Sequence, residues 1–364
     1  MQKFLKSFSL IIFLISPLPI LGKNKTKFKM LHKDNVNFST SRNLEEDNYI
    51  VLNFNRKCNY SSGFSNYFRY DINFIINKKN ISIKYKKESP FNVTKDYGIE
   101  IHFNKAISSL NSYFDSDYDK NMKFLVFADL SNFDPSNIEN LGYMFDGCSS
   151  LISINLSNFN TSKVIDMGYM FYGCSSLVSI DLSNFDTSKV TDMWGMFYGC
   201  SSLISINLSN FDTSNITYMW GMFEGCSSLI SINVSNFNTS NVKYMWGLFN
   251  GCSSLISIDL SNFDTSKVTY MGYMFHGCSS LISIDLSNFN MSNCISYNDM
   301  FSNNNNIKYI NIYNFKNDKI ISKTFNNINN SIFICQKDKI IVNPKAYNCC
   351  DFNLKAYDCI SSNY

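Results

Sequence analysis

The sequence predicts an α/β solenoid in which each 26-residue coil contributes one short parallel strand and one short helix, with a small β cap before the array and a Cys-rich cap after it. Three observations carry this. Cys148, Cys174, Cys200, Cys226, Cys252 and Cys278 follow one another at a constant spacing of 26, and the residues between them recur almost letter for letter. Self-similarity at a period of about 20 to 50 marks a repeat architecture, in which each unit buries its apolar face only against its neighbours. Within each repeat, apolar residues first alternate with polar ones and then return every third or fourth position, the two patterns of a strand and of one side of a helix.

In the coil from Leu177 to Ser202, "LVSIDLS" places apolar residues at 177, 180 and 182, with Ser179 and Asp181 between them. This spacing predicts a short strand with one face buried. "SNFDTS" follows as a loop with Phe185 turned inward. Val190, Met193, Met196, Phe197 and Cys200 then fall on one side of a predicted helix, with Asp186, Thr187 or Ser188 as its N-cap and Gly199 at its stop. A tight "CSS" return closes the coil. Strands stacked about 4.8 Å apart over about eight coils would give a rod on the order of 40 Å long. Register extends past the clean copies, because Met300, Phe301, Ile312 and Phe315 continue the pattern, and "ISSLNSYF" (107–114) reads as a degenerate coil with an insertion.

The array therefore spans 123–315, and the segments around it differ in kind. Residues 1–22 place Lys3 and Lys6 before an apolar run from Leu10 to Ile15 and a small Gly22, the pattern of a cleavable secretory signal. An uncleaved anchor is the alternative, but the run is short for a span of about 20 residues. Residues 23–48 are polar and charged and read as a flexible leader. Over 49–122, "YIVLNF", "DINFIIN", "ISIKYK" and "IEIHF" read as strands of an N-terminal cap, with a hairpin at "NKKN". Residues 316–364 form the predicted C-terminal cap. The formal charge of the chain is +3, yet residues 124–293 hold four Lys against 13 acidic residues, a net of −9. Nothing in this balance suggests nucleic acid, and no later segment is apolar enough to span a bilayer once the signal is removed.

The repeat pattern L-x-x-I-x-L-S-N-F-x-T-S-x-V-x-x-M-x-x-M-F-x-G-C-S-S resembles the BspA-like leucine-rich repeat surface proteins over about residues 107–315. The resemblance implies a right-handed leucine-rich-repeat solenoid, secretion or surface display, binding to host or matrix proteins, and no catalysis. One departure bears on the loops. Phe (159, 185, 211, 237, 263, 289) stands where the general consensus has a ladder Asn or Cys, and Asn precedes it (158, 184, 210, 236, 262, 288), so the hydrogen-bonding ladder is expected to be shifted.

Several residues invite chemistry. The ladder cysteines lack the clustered spacing of a metal site and read as buried small hydrophobes; no metal or cofactor is expected. Cys335, Cys349, Cys350 and Cys359 are disulfide candidates in a secreted chain, with three pairings open and Cys58 left over. His32, His102 and His276 lie in separate segments and no nucleophile motif is present, so no catalytic residue is assigned. The candidate contact residues are Trp194, Trp220 and Trp246, in one register on the flank of the helix, with Tyr169 and Tyr273 in the outer coils. Rings in a row suit a protein interface and can stack on sugars, or they cover gaps between coils. On the strand face, Ser179, Asp181, Ser205, Asn207, Ser231, Asn233, Ser257 and Asp259 form a polar ladder, able to bind a partner or simply to be solvated. The expected function is a secreted or surface-displayed, non-catalytic adhesion protein; a carbohydrate-binding protein is the first alternative and a hydrolase within 49–122 the second.

Overall fold

A computed structural model describes residues 49–54, 58–60, 72–76, 79–83, 91–93, 99–103, 107–117, 120, 122–313, 324, 333–336 and 339–342, all within one unit that begins at Leu44. The predicted signal and leader, and most of the C-terminal cap, lie outside the described residues. Twelve strands are described: β1 (Tyr49–Phe54), β2 (Cys58–Tyr60), β3 (Ile72–Ile76), β4 (Lys79–Ile83), β5 (Phe91–Val93), β6 (Ile99–Phe103), β7 (Leu125–Asp129), β8 (Ser153–Asn155), β9 (Ser283–Asp285), β10 (Tyr309–Asn311), β11 (Phe333–Gln336) and β12 (Lys339–Val342). Among the described residues no helix is long and apolar enough to cross a membrane.

The N-terminal strands pair antiparallel in the order β4-β3-β6-β1-β7, and β8 then joins β7 in parallel, with Ala128 opposite Ile154. β7 is therefore both the last strand of the cap and the first strand of the array. The hairpin predicted at 77–80 carries β3 into β4, with Ile76 opposite Lys79. At the far end β9, β10 and β11 are parallel, and β12 turns back antiparallel on β11. An antiparallel strand at each end stops a parallel series that would otherwise continue.

Between these ends the coils stack in register. Leu177, Ile180, Leu182, Phe185, Val190, Met193, Met196, Phe197 and Cys200 are all buried, and so are their equivalents in the other coils, with the exceptions of the half-buried Ile154, Ile258 and Tyr297. Phe171, Phe197, Phe223, Phe249 and Phe275 form one column of nearly coplanar rings with centroids 5.7 Å apart. Each ring thus buries both faces against its own counterparts, and a coil has no apolar core without neighbours.

The helix predicted over 190–200 is not formed, and residues 130–312 contain no α-helix. The segment is instead a run of turns whose N–H groups alternate in direction. Those of Gly195, Phe197 and Gly199 donate to Trp220, Met222 and Glu224 of the next coil, at 2.9, 2.9 and 2.6 Å; those of Met196, Tyr198 and Cys200 donate three residues back. The alternation needs left-handed backbone at 195 and 199, where glycines stand at φ 56° and 72°. A period of three to four places apolar residues inward in either geometry, which is why the pattern read as a helix.

The strand side also differs from expectation. Full ladders form only at the ends, and in the central coils single bonds such as Ile230 N–H to the Ile204 carbonyl, 3.3 Å, join the extended segments. Side chains supply the remaining links. Asn210 Nδ2 donates to the carbonyls of Leu182, Ser183 and Phe185, and Asn236 and Asn288 repeat the arrangement. The Asn ladder is shifted one residue before the Phe, as the sequence suggested. Buried Thr187, one of the N-cap candidates, and its equivalent Thr213 donate to the next coil's Asp212 and Asn238 carbonyls at 2.9 and 3.0 Å.

Candidate functional site

Trp194, Trp220 and Trp246 are half-buried and lie in one row. Their centroids are 5.5 and 6.2 Å apart, with ring planes inclined at 64° and 72°, an edge-to-face sequence. Tyr169 joins it at 4.9 Å from Trp194, and Tyr273 at 5.5 Å from Trp246. The five predicted contact residues therefore form one continuous aromatic band.

A local exchange of large and small residues builds the band. Each coil from 142 to 273 places one ring and one glycine in two adjacent positions: Gly-Tyr at 142–143, 168–169 and 272–273, and Trp-Gly in the three coils between. The second position is always left-handed, at no cost for Gly195, Gly221 and Gly247 but under strain for Tyr143, Tyr169 and Tyr273. Where the order switches, rings and glycines interlock. A Cβ on Gly168 would collide with the Trp194 indole, and one on Gly195 with the Tyr169 ring.

One residue of the band was not singled out from sequence. Glu224 stands four residues after Trp220, at a position that varies along the array as Tyr172, Tyr198, Glu224, Asn250 and His276. Its Oε2 lies over the bare backbone of Gly221 and Gly247, 3.3 and 2.8 Å from where their Cβ atoms would be. Asn250 Nδ2 donates to Oε1 at 2.8 Å, while Oε2 is shielded from solvent without a hydrogen-bond partner. Burial pushes this carboxyl above the usual range, and hydrogen bonds from Tyr198 and Asn250 partly offset that. The signal available in sequence was an acidic residue among aromatic neighbours at one register.

The strand-side ladder is present, and its members Ser179, Asp181, Ser205, Asn207, Ser231, Asn233, Ser257 and Asp259 are exposed. The acceptor oxygens are already engaged: Asp181, Asn207, Asn233 and Asp259 each take the backbone N–H two residues on, at 2.9 to 3.1 Å. Beside them Val178, Ile204, Ile230, Ile256 and Ile282 expose an aliphatic row that sequence reasoning missed. Also missed were Tyr218, Tyr244 and Tyr270, three phenols stacked at 4.9 and 5.3 Å, although their spacing of 26 was legible.

The ladder cysteines are buried, and each thiol donates to a Phe carbonyl of the coil before, 29 residues earlier from Cys174 onward (Cys200 to Phe171 at 3.2 Å) and 34 residues earlier for Cys148, which reaches Phe114. Burial pushes the Cys226 thiol up to about 12, far from a reactive thiolate. Among the described residues, one cluster could hold a cation by spacing alone: Asp115, Asp117 and Asp146, whose carboxylates lie within 4.8 Å of one another. Burial, then the two neighbouring carboxylates, raise Asp146 to about 7, so a proton relieves the crowding. Cys349, Cys350, Cys359 and the side chains of Cys335 and Cys58 lie outside the described residues.

A family described as "Mycoplasma protein of unknown function, DUF285" matches twice, over residues 108–231 and 202–315, together more than half of the chain. No curated protein and no solved structure matches.

Proposed function

The chain belongs to this DUF285 family of Mycoplasma proteins, and from that premise we propose that it is a non-catalytic binding protein, secreted or surface-displayed, that recognises a host or matrix protein through its aromatic band. The observation that carries the reading is the half-buried row Tyr169, Trp194, Trp220, Trp246 and Tyr273, which offers large apolar area already held in place by its own neighbours. The array is taken as a leucine-rich-repeat solenoid of the BspA-like kind, a reading supported by its 26-residue register and side-chain ladders. Secretion is supported by the signal pattern of residues 1–22. A protein partner fits better than a glycan, because sugar stacking wants ring faces in one plane and these alternate by 64° and 72°. The test is retention of the full chain on a panel of immobilised matrix proteins and oligosaccharides. Trp220→Ala should weaken retention on a protein by roughly 2 to 4 kcal/mol while leaving the melting temperature nearly unchanged. Equal retention of Trp220→Ala and the unaltered chain would refute it.

A further inference from the structure

We infer that the band is a cation-recognising surface, built to take an arginine or lysine side chain from a basic segment of the protein partner, with Glu224 as the counter-charge. The inference rests on the binding role proposed above and specifies its chemistry. Glu224 puts a carboxylate over Gly221 and Gly247, the residues that directly follow Trp220 and Trp246 in the chain. It occupies in these coils the kind of space that the Tyr169 ring fills over Gly195. Asn250, which donates to Oε1, is neutral, and Oε2 has no hydrogen-bond partner. A half-satisfied carboxylate shielded from water raises the local negative potential, and the π-faces of indoles and phenols add to it. A cation laid on such rings gains from both sources, and a guanidinium can also stack flat on an indole. The surroundings favour the same partner, because residues 124–293 carry a net charge of −9, which draws basic segments towards the array and repels acidic ones.

The experiment titrates the full chain with a hexa-arginine peptide and, as a control, a hexa-asparagine peptide, following Trp fluorescence and calorimetry at about 50 and 300 mM salt. Hexa-arginine is expected to bind and hexa-asparagine not, with affinity falling as salt rises. Glu224→Gln, which keeps the shape and the Asn250 bond, should weaken hexa-arginine binding by about tenfold with an unchanged melting temperature. Trp220→Phe, chosen to keep the fold, should weaken it by a similar factor, and Ser205→Ala on the strand side should leave it alone. Full binding by Glu224→Gln or Trp220→Phe would overturn the inference, since the peptide would then be held by diffuse charge. Absence of hexa-arginine binding, or binding of phosphatidylcholine vesicles in its place, would overturn it too. If a matrix protein is still lost on Trp220→Ala in that case, the band remains the contact surface and only its cation chemistry fails. If neither is lost, the binding role itself fails.

Discussion

The strand side and the turn side of a single coil follow different rules. From Leu203 to Ser214 the residues recur almost unchanged in every coil, whereas the equivalents of Thr217, Tyr218, Trp220, Gly221 and Glu224 change from coil to coil. On the strand side, side chains do the joining: Asn210 holds three carbonyls of the coil before, and Thr213 one of the coil after. On the turn side the backbone does it, through Gly195, Phe197 and Gly199. A side chain that joins coils must keep its identity. Where the backbone joins them, outward side chains are free to vary, and surface chemistry can differ along the array without disturbing the stack. The contrast teaches where recognition can be written.

Four substitutions break or sharpen this contrast. The largest effect is expected for Phe223→Ala, which opens the ring column between Phe197 and Phe249 and should cost about 3 to 5 kcal/mol in chemical denaturation; a loss under about 1 kcal/mol would mean the coils do not depend on it. Asn210→Ala removes three side-chain hydrogen bonds to the carbonyls of the coil before and should cost about 2 kcal/mol. Were it as harmless as a surface change, the ladder would not explain the uniformity of the strand side. Asp146→Asn probes the acidic cluster at the N-terminal end of the array. The folded carboxyl titrates at about 7, above its ordinary 3.8, so the native chain holds an extra proton between these values. Stability should therefore be greatest at the acidic end and decline as pH rises through that window. Asn removes the decline, measured as melting temperature against pH; an identical slope in both proteins would exclude Asp146 as its source. Smallest of all, Ser205→Ala on the exposed strand side should change stability by less than about 0.5 kcal/mol, and a larger loss would show that this ladder joins coils too.

Register, core and the shifted Asn ladder were legible because periodic burial and periodic hydrogen bonding both leave a residue repeated at 26. The helix was not, because Val190, Met193, Met196, Phe197 and Cys200 turn inward whether the backbone is helical or alternates through Gly195 and Gly199. Single apolar spacings fix the face and leave the backbone's handedness open. The Trp row was legible as a row, but its interlocking with Gly168 and Gly195 depends on rings crossing from one coil to the next. Glu224 was passed over because a position that varies looks merely exposed; its carboxylate acquires meaning only from the glycines beneath it.

The direction of the bonds between coils bears on how the molecule responds to force. Most of the links named above, such as Gly195 to Trp220 and Asn210 to Leu182, run from one coil to the next and so lie along the stacking direction. A pull on the two ends loads one interface at a time, as in opening a zipper, rather than shearing many bonds together. Each coil that peels away frees 26 residues, about 90 Å of extended chain. Held between a partner and a surface, the protein would yield in discrete steps of that length, and tension on the contact would fall at every step.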